Sequence, residues 1–219
     1  MININFQNAC SPLIEQIHIF HDWLMVFLVS ISVGTLWSML MIRKSTISNR
    51  ALTESQTVEF IWTVLPSLVL VAIGLPSLRL LYLVDEIAGA RITVKALGHQ
   101  WYWQYDYPDF PAFDSYIIRR EYRLLDTDHR LIFPVRHAVQ MLISAADVLH
   151  SWTIPTIAVK ADAVPGRVNK LTLIPKRPGV FFGQCREICG RNHRFIPISI
   201  ECYAFNYIAT LKVVNKKVK

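Results

Sequence analysis

The chain has 219 residues, 53% of them hydrophobic, and carries 23 Lys and Arg against 16 Asp and Glu, a net charge of +7. That hydrophobic share is high for a purely soluble protein, and four cysteines are too few for a disulfide-stapled scaffold. Residues 1–84 hold Arg43, Lys44, Arg50 and Arg79 against Glu15, Asp22, Glu54 and Glu59, so the whole charge excess lies beyond them. A basic balance can mark a nucleic-acid binder, but no recognition motif accompanies it, and the expectation is a solvated basic surface with no nucleic-acid partner.

From Trp23 to Ile42 the chain reads "WLMVFLVSISVGTLWSMLMI" without a formal charge. From Phe60 to Leu78 it reads "FIWTVLPSLVLVAIGLPSL" and continues past Arg79 through "LLYLV". About twenty apolar residues at 1.5 Å each cross the roughly 30 Å hydrocarbon core of a bilayer. A pair of helices buried in a soluble bundle would keep a polar face, which neither stretch has. Pro66 and Pro76 would break the second helix in water and are tolerated in lipid. Residues 1–84 are therefore expected to form a transmembrane hairpin, with spans at about 20–42 and 58–84 joined by the loop 43–57. The first span is too long for a cleaved signal and no Lys or Arg precedes it, so no presequence is expected. Arg43, Lys44 and Arg50 place the loop on the cytoplasm-like or matrix-like side and both termini on the other.

From Asp85 onward, residues 85–219 change to short β-rich runs. "RITVKAL", "HQWYWQYDY", "YIIRREYRLL", "HAVQMLISAA" and "NKLTLIP" each read as a strand, and "YPDFP", "DTDHR", "VPGR" and "KRPG" as turns. Such a pattern predicts a sandwich or Greek-key barrel, ending in a solvated "NKKVK" tail.

The densest chemistry lies in "GQCREICGRNHRFIPI". Cys185-x3-Cys189-x3-His193 offers three soft or borderline metal donors, and His150 in "DVLHSWTIP" is the best fourth, far enough upstream to return on a neighbouring strand. Histidines 18, 21, 99, 129 and 137 lack such partners and read as structural, and Cys10 and Cys202 as isolated structural thiols. Spacing leaves several readings open. Two Cys and two His suit a tetrahedral structural zinc, although C-x3-C is looser than a usual finger. One Cys with two His suits a mononuclear blue copper. Two thiolates could bridge two coppers, each capped by one His, and a Cys185–Cys189 disulfide is the dull alternative. Arg186, Arg191 and Arg194 crowd the same loop, where positive charge beside a cation is unfavourable unless thiolates offset it and long stems carry the guanidiniums into water.

"GHQWYWQYDY", "DVLHSW", "DAVPGR", "RPG" and "GQCxEICGxNHxFxPI", behind a hairpin with "IWTVLPS" and "LPSLRLLY", resemble the cytochrome c oxidase subunit 2 family from about residue 5 to about 205. The resemblance implies an N-terminal two-helix transmembrane hairpin followed by an all-β cupredoxin-like Greek-key barrel carrying a dinuclear copper centre, CuA. By resemblance, Cys185 and Cys189 bridge the coppers, with His150 on one and His193 plus the backbone carbonyl of Glu187 on the other. The Glu187 side chain holds a magnesium ion shared with subunit 1. Trp101 takes electrons from a transiently bound cytochrome c, Asp106, Asp109, Asp114, Asp128 and Asp147 lie around its docking surface, and Glu59 marks the mouth of a proton pathway. The implied partners are subunit 1, further oxidase subunits and the membrane. The implied location is the mitochondrial inner membrane, with the loop 43–57 in the matrix and the β domain in the intermembrane space. Oxygen reduction to water, with proton pumping, is implied in subunit 1. Two departures stand out: the axial position, normally Met, is Ile196, and the three arginines replace small or polar residues. A membrane-tethered zinc or copper module for metal delivery is the rival reading, and it leaves the aromatic run and Glu59 without a task.

Overall fold

A computed structural model of the chain describes residues 6–49, 51, 53–85, 89–90, 92–119 and 122–205. Its contacts divide the chain into two units, residues 16–84 and residues 1–15 with 85–219.

The first unit is built from two long helices, α1 (Pro12–Lys44) and α2 (Gln56–Asp85). α1 begins well before the expected start near residue 20 because a local signal starts it. Ser11 Oγ accepts the Ile14 N–H at 3.3 Å as an N-cap, and Pro12 fills the first helical position, where no N–H is needed. α2 runs through Pro66 and Pro76 without a break. Ser30, Ser32, Thr35, Ser38, Thr63 and Ser67 each donate a hydroxyl to the carbonyl four residues back, so their polar groups need no water. The most apolar window of each helix is 0% buried within the chain, a surface that lipid suits and water does not.

Among its described residues the second unit holds ten strands: β1 (Ile92–His99), β2 (Tyr102–Asp106), β3 (Phe113–Ser115), β4 (Leu131–Pro134), β5 (Val139–Ala145), β6 (His150–Ile154), β7 (Val159–Ala163), β8 (Asn169–Leu173), β9 (Gly179–Gln184) and β10 (Pro197–Tyr203). One sheet has the order β3-β2-β1-β5-β8, a second β4-β10-β9, and β6 pairs with β7 as a ribbon. β1 runs parallel to β5 and β10 parallel to β4, while the remaining pairs are antiparallel. Alternation puts Val94, Ala96, Trp103, Tyr105, Met141 and Ile143 inward, against Trp152, Ile154, Ile198 and Ile200. Trp152 donates its indole N–H to the Tyr105 hydroxyl at 3.2 Å, pairing two polar atoms of the core. β1, β2, β5 and β8 form where alternation predicts them. The described residues of "YIIRREYRLL" form no strand. Its described part makes one bridge, Ile117 to Thr127, followed by bends and turns, because Asp126 and Asp128 draw the backbone into local hydrogen bonds. The "NKKVK" tail lies outside the described residues.

Residues 8–15 pack with the β domain. Cys10 exchanges backbone hydrogen bonds with Thr156 and Lys176, Ser11 Oγ donates to the Ile157 carbonyl, Arg177 reaches the Asn8 carbonyl, and Lys176 pairs with Glu15.

Candidate metal centre

β6 opens with His150, and all five of its residues are buried. It crosses β9, whose end delivers Cys185 into the loop that continues to Cys189. A one-turn 3-10 helix, His193–Phe195, then presents His193 before β10 begins. The Cys185 N–H donates to the Ile196 carbonyl at 3.0 Å and the Arg186 N–H to the Ser151 carbonyl at 3.2 Å, so both ends of the loop are tied to strands.

Within this frame, ligand atoms of His150, Cys185 and Cys189 lie within 4.8 Å of one another. His150 Nδ1 faces Cys185 Sγ at 3.9 Å, His193 Nδ1 faces Cys189 Sγ at 3.4 Å, and Cys185 Sγ donates to the Glu187 carbonyl at 3.3 Å. All four cysteines are free thiols. Burial alone would push the Cys185 thiol up, but the His150 ring beside it brings it below its ordinary value. Cys189 is pushed up to about 12, by burial first and then by the neighbouring Cys185. Burial works against a charged His150, yet Cys185 and Asp147 hold its pKa raised.

Two glycines make the close approach possible. A Cβ on Gly98 would sit 2.9 to 3.1 Å from the His150 ring. Gly190, at φ +116, would place a Cβ 3.2 to 3.4 Å from the Gln100 amide and the Trp101 indole. That space lets Gln100 Nε2 at 2.8 Å and Trp101 Nε1 at 3.2 Å both donate to the Cys189 carbonyl. Trp101 is half-buried, so one face of the domain reaches the thiol cluster through a single hydrogen bond.

Other predicted residues fall as follows. Glu59 stands exposed in the first turn of α2, in the membrane unit, and does not join the cluster. Glu187 is half-buried on the loop. Ile196 is 1% exposed and brings no donor atom from its side chain. Arg186, Arg191 and Arg194 point outward into solvent, Arg194 over the Phe195 ring at 4.6 Å; the structure gives the three no further task. Of the acidic residues, Asp106 pairs with Lys95 at 3.0 Å, Asp114 accepts from Gln104, and Asp128 caps Tyr116 and His129. Asp147 accepts three hydrogen bonds, a contact set that spacing gave no sign of. Cys10 and Cys202 fill the core but are not isolated, since Cys202 is pushed up to about 12 by burial and then by Cys10.

The family description "Cytochrome C oxidase subunit II, transmembrane domain" matches residues 1–80, and "Cytochrome C oxidase subunit II, periplasmic domain" matches residues 92–203. The chain is similar to cytochrome c oxidase subunit 2 of Aedes aegypti, 48% identical over 94% of this chain and 93% of that one. The same protein of Ctenocephalides felis is 50% identical over 94% of each. The crystal structure of the periplasmic domain of subunit II of cytochrome oxidase of Bradyrhizobium japonicum is similar with a TM-score of 0.57 at 38% identity, covering 60% of this chain and 98% of that one. A mixed disulfide intermediate between a thioredoxin-like protein and subunit II of cytochrome c oxidase gives 0.53 at 37% identity, covering 60% and 95%.

Proposed function

We propose, for a chain that belongs to the cytochrome c oxidase subunit II family, that it is the subunit through which electrons enter a haem–copper oxidase. In this reading cytochrome c docks transiently over Trp101. His150, Cys185, Cys189, His193 and the Glu187 carbonyl hold a dinuclear copper centre. The electron passes on to haem in subunit 1, where oxygen is reduced to water with proton pumping. The hairpin anchors the chain among the other oxidase subunits in the mitochondrial inner membrane, with the β domain in the intermembrane space. Glu59 lies at the matrix-side mouth of a proton pathway, and the Glu187 carboxylate takes a magnesium ion shared with subunit 1.

The observation that carries this reading is the hydrogen bond from the Trp101 indole to the Cys189 carbonyl, which joins a half-exposed ring to the backbone of a thiol donor. The donor set fits the metal. A single tetrahedral ion draws four ligand atoms to one point at roughly 2.0 to 2.3 Å. Here only three donors lie mutually close, and the two imidazoles face different thiols. That spread suits two metals sharing two soft thiolates better than one zinc. Copper bound there would supply a one-electron store spread over both metals, so that little rearranges on reduction. The chain's own part is to keep water out with buried walls, to hold His150 and the thiols in place, and to offer Trp101 to the donor. Ile196, whose side chain lacks a lone pair, would add no donor to a copper held by His150, Cys185 and Cys189.

Metal analysis and electron paramagnetic resonance of the purified oxidase test the reading. Two coppers in this subunit, with one unpaired electron coupled to both nuclei, are expected. Stoichiometric zinc without copper overturns it.

A further inference from the structure

We infer that Asp147 is a positioning residue of the metal centre, its carboxylate fixing the His150 ring and tying it to the Gln100–Trp101 segment. The inference rests on the copper reading above and concerns a residue whose resemblance-based role is only to attract a partner.

Geometry leaves the carboxylate little freedom. Oδ1 accepts the Val148 N–H at 2.6 Å and the His150 ring nitrogen Nε2 at 2.9 Å, while Oδ2 accepts the Gln100 N–H at 2.6 Å. An ionised carboxylate only accepts, so Nε2 must carry the proton. With the proton on Nε2, Nδ1, which faces Cys185 Sγ at 3.9 Å, is the nitrogen left to bind a metal. His150 is 0% exposed and its ring lies against Gly98 and, at 6.0 Å between centroids, Trp103, so packing and the carboxylate fix the ring plane together. The second oxygen extends the clamp. Gln100, held by its backbone N–H, reaches the Cys189 carbonyl with its own side chain, and the adjoining Trp101 indole donates to the same carbonyl. One side chain therefore sets the outer imidazole of one thiol and the aromatic contact of the other. His193 has no carboxylate in that place among the described residues, so the two imidazoles are supported unequally. Metal-bound histidines held by a carboxylate typically lose roughly 10- to 100-fold in metal affinity when it is removed.

The test uses the purified oxidase. Wild-type copper content is measured first; its absence overturns the copper reading and not this inference alone. With copper present, Asp147→Asn is expected to release it to a chelator roughly 10- to 100-fold more readily and to alter the hyperfine signature of one histidine but not the other. Asp147→Glu, longer but charged, should restore the salt dependence of the cytochrome c reaction without restoring copper retention. Asp106→Asn, remote from the cluster, should leave copper retention unchanged. Normal copper retention and spectrum in Asp147→Asn, with only a flattened salt dependence, would make Asp147 a docking charge and overturn the inference. Should that variant not assemble, hydrogen–deuterium exchange decides in the wild type. The His150 Nε2 proton should exchange slowly and that of His193 quickly, and fast exchange at both overturns the inference.

Discussion

The four cysteines lie in one β domain as two buried groups of opposite character. Cys185 and Cys189 have an imidazole facing each sulfur, at 3.9 and 3.4 Å, and a carbonyl and two N–H donors organised around them. Cys10 and Cys202 have aliphatic and backbone neighbours and each other, the Cys10 thiol donating to the Arg177 carbonyl at 3.8 Å. Burial is nearly equal in all four. What separates them is the company, and it lowers one thiol only: the His150 ring brings Cys185 below its ordinary value, whereas Cys189, beside Cys185, and Cys202, beside Cys10, are both pushed up to about 12, by burial first. A buried thiol becomes a metal ligand only where the fold supplies a base and a reason to lose the proton.

Serine in place of Cys185 or Cys189 should break the contrast most. In the proposed two-copper centre each thiolate would serve both metals, so the dinuclear resonance signal should vanish from the purified oxidase, whereas Cys10→Ser and Cys202→Ser should keep the copper content. Loss of copper in the second pair of variants would mean that the two groups are not independent.

Trp101→Phe should keep the ring and remove the donor to the Cys189 carbonyl, with Gln100 still in place. Reduction by cytochrome c should slow by about tenfold or more, equivalent to at least about 1.4 kcal/mol in the barrier, with the copper spectrum little changed. An unaltered rate in stopped-flow measurement would place the electron's path elsewhere.

Alkaline stability probes the core pair by itself. Cys202 stays protonated in the folded domain up to about 12, while the unfolded chain ionises it near the ordinary value of 9.0. Its contribution to stability is fully present below pH 9 and is lost as pH rises from there through 12, at about 1.4 kcal/mol per pH unit for one group. Denaturant midpoints should fall over that window, and less steeply in Cys202→Ala. Buried Tyr105 and Tyr107, also raised, keep some of the slope in either protein.

The metal loop carries its departures from the family pattern at Arg186, Arg191, Arg194 and Ile196. Trypsin digestion of the native complex should cut after each arginine. One long uncut peptide, with serine at those three places and methionine at 196, is what an organelle reading AGA as serine and AUA as methionine would make, and it would remove all four departures together. With isoleucine present, Ile196→Met should restore a weak axial donor and lower the copper potential by tens of millivolts, where about 59 mV is a tenfold change for one electron. A potential that rises or stays fixed makes Ile196 a packing residue only.

The hairpin was legible because membrane spans announce themselves by length and lack of charge, and β1, β2, β5 and β8 because one face of each is polar. β6 and most of β10 were not, since strands buried on both faces show no alternation: His150–Ile154 is buried at every position. "YIIRREYRLL" misled for the opposite reason, an apparent strand pattern overridden by aspartate side chains that bind the backbone locally. The donors His150, Cys185, Cys189 and His193 could be collected from the chain, but their pairing could not. The Asp147 clamp joins residues 47 positions apart through a backbone N–H, which leaves no trace in composition.

The seating of residues 8–15 has a consequence for the order of assembly. Ser11 bonds to Ile157, 146 positions later, and Cys10 to Thr156 and Lys176. A chain made from its N-terminus exposes this segment first and its seat last, with both membrane spans synthesised in between. The seat can close only after residues 150–180 have been made and folded, so closing it is a late event in assembly. Before it, the segment around Cys10 is open to protease and alkylating reagent; after it, Cys10 is sealed at 0% exposure. The N-terminal segment thus closes as a latch once its seat in the β domain is folded.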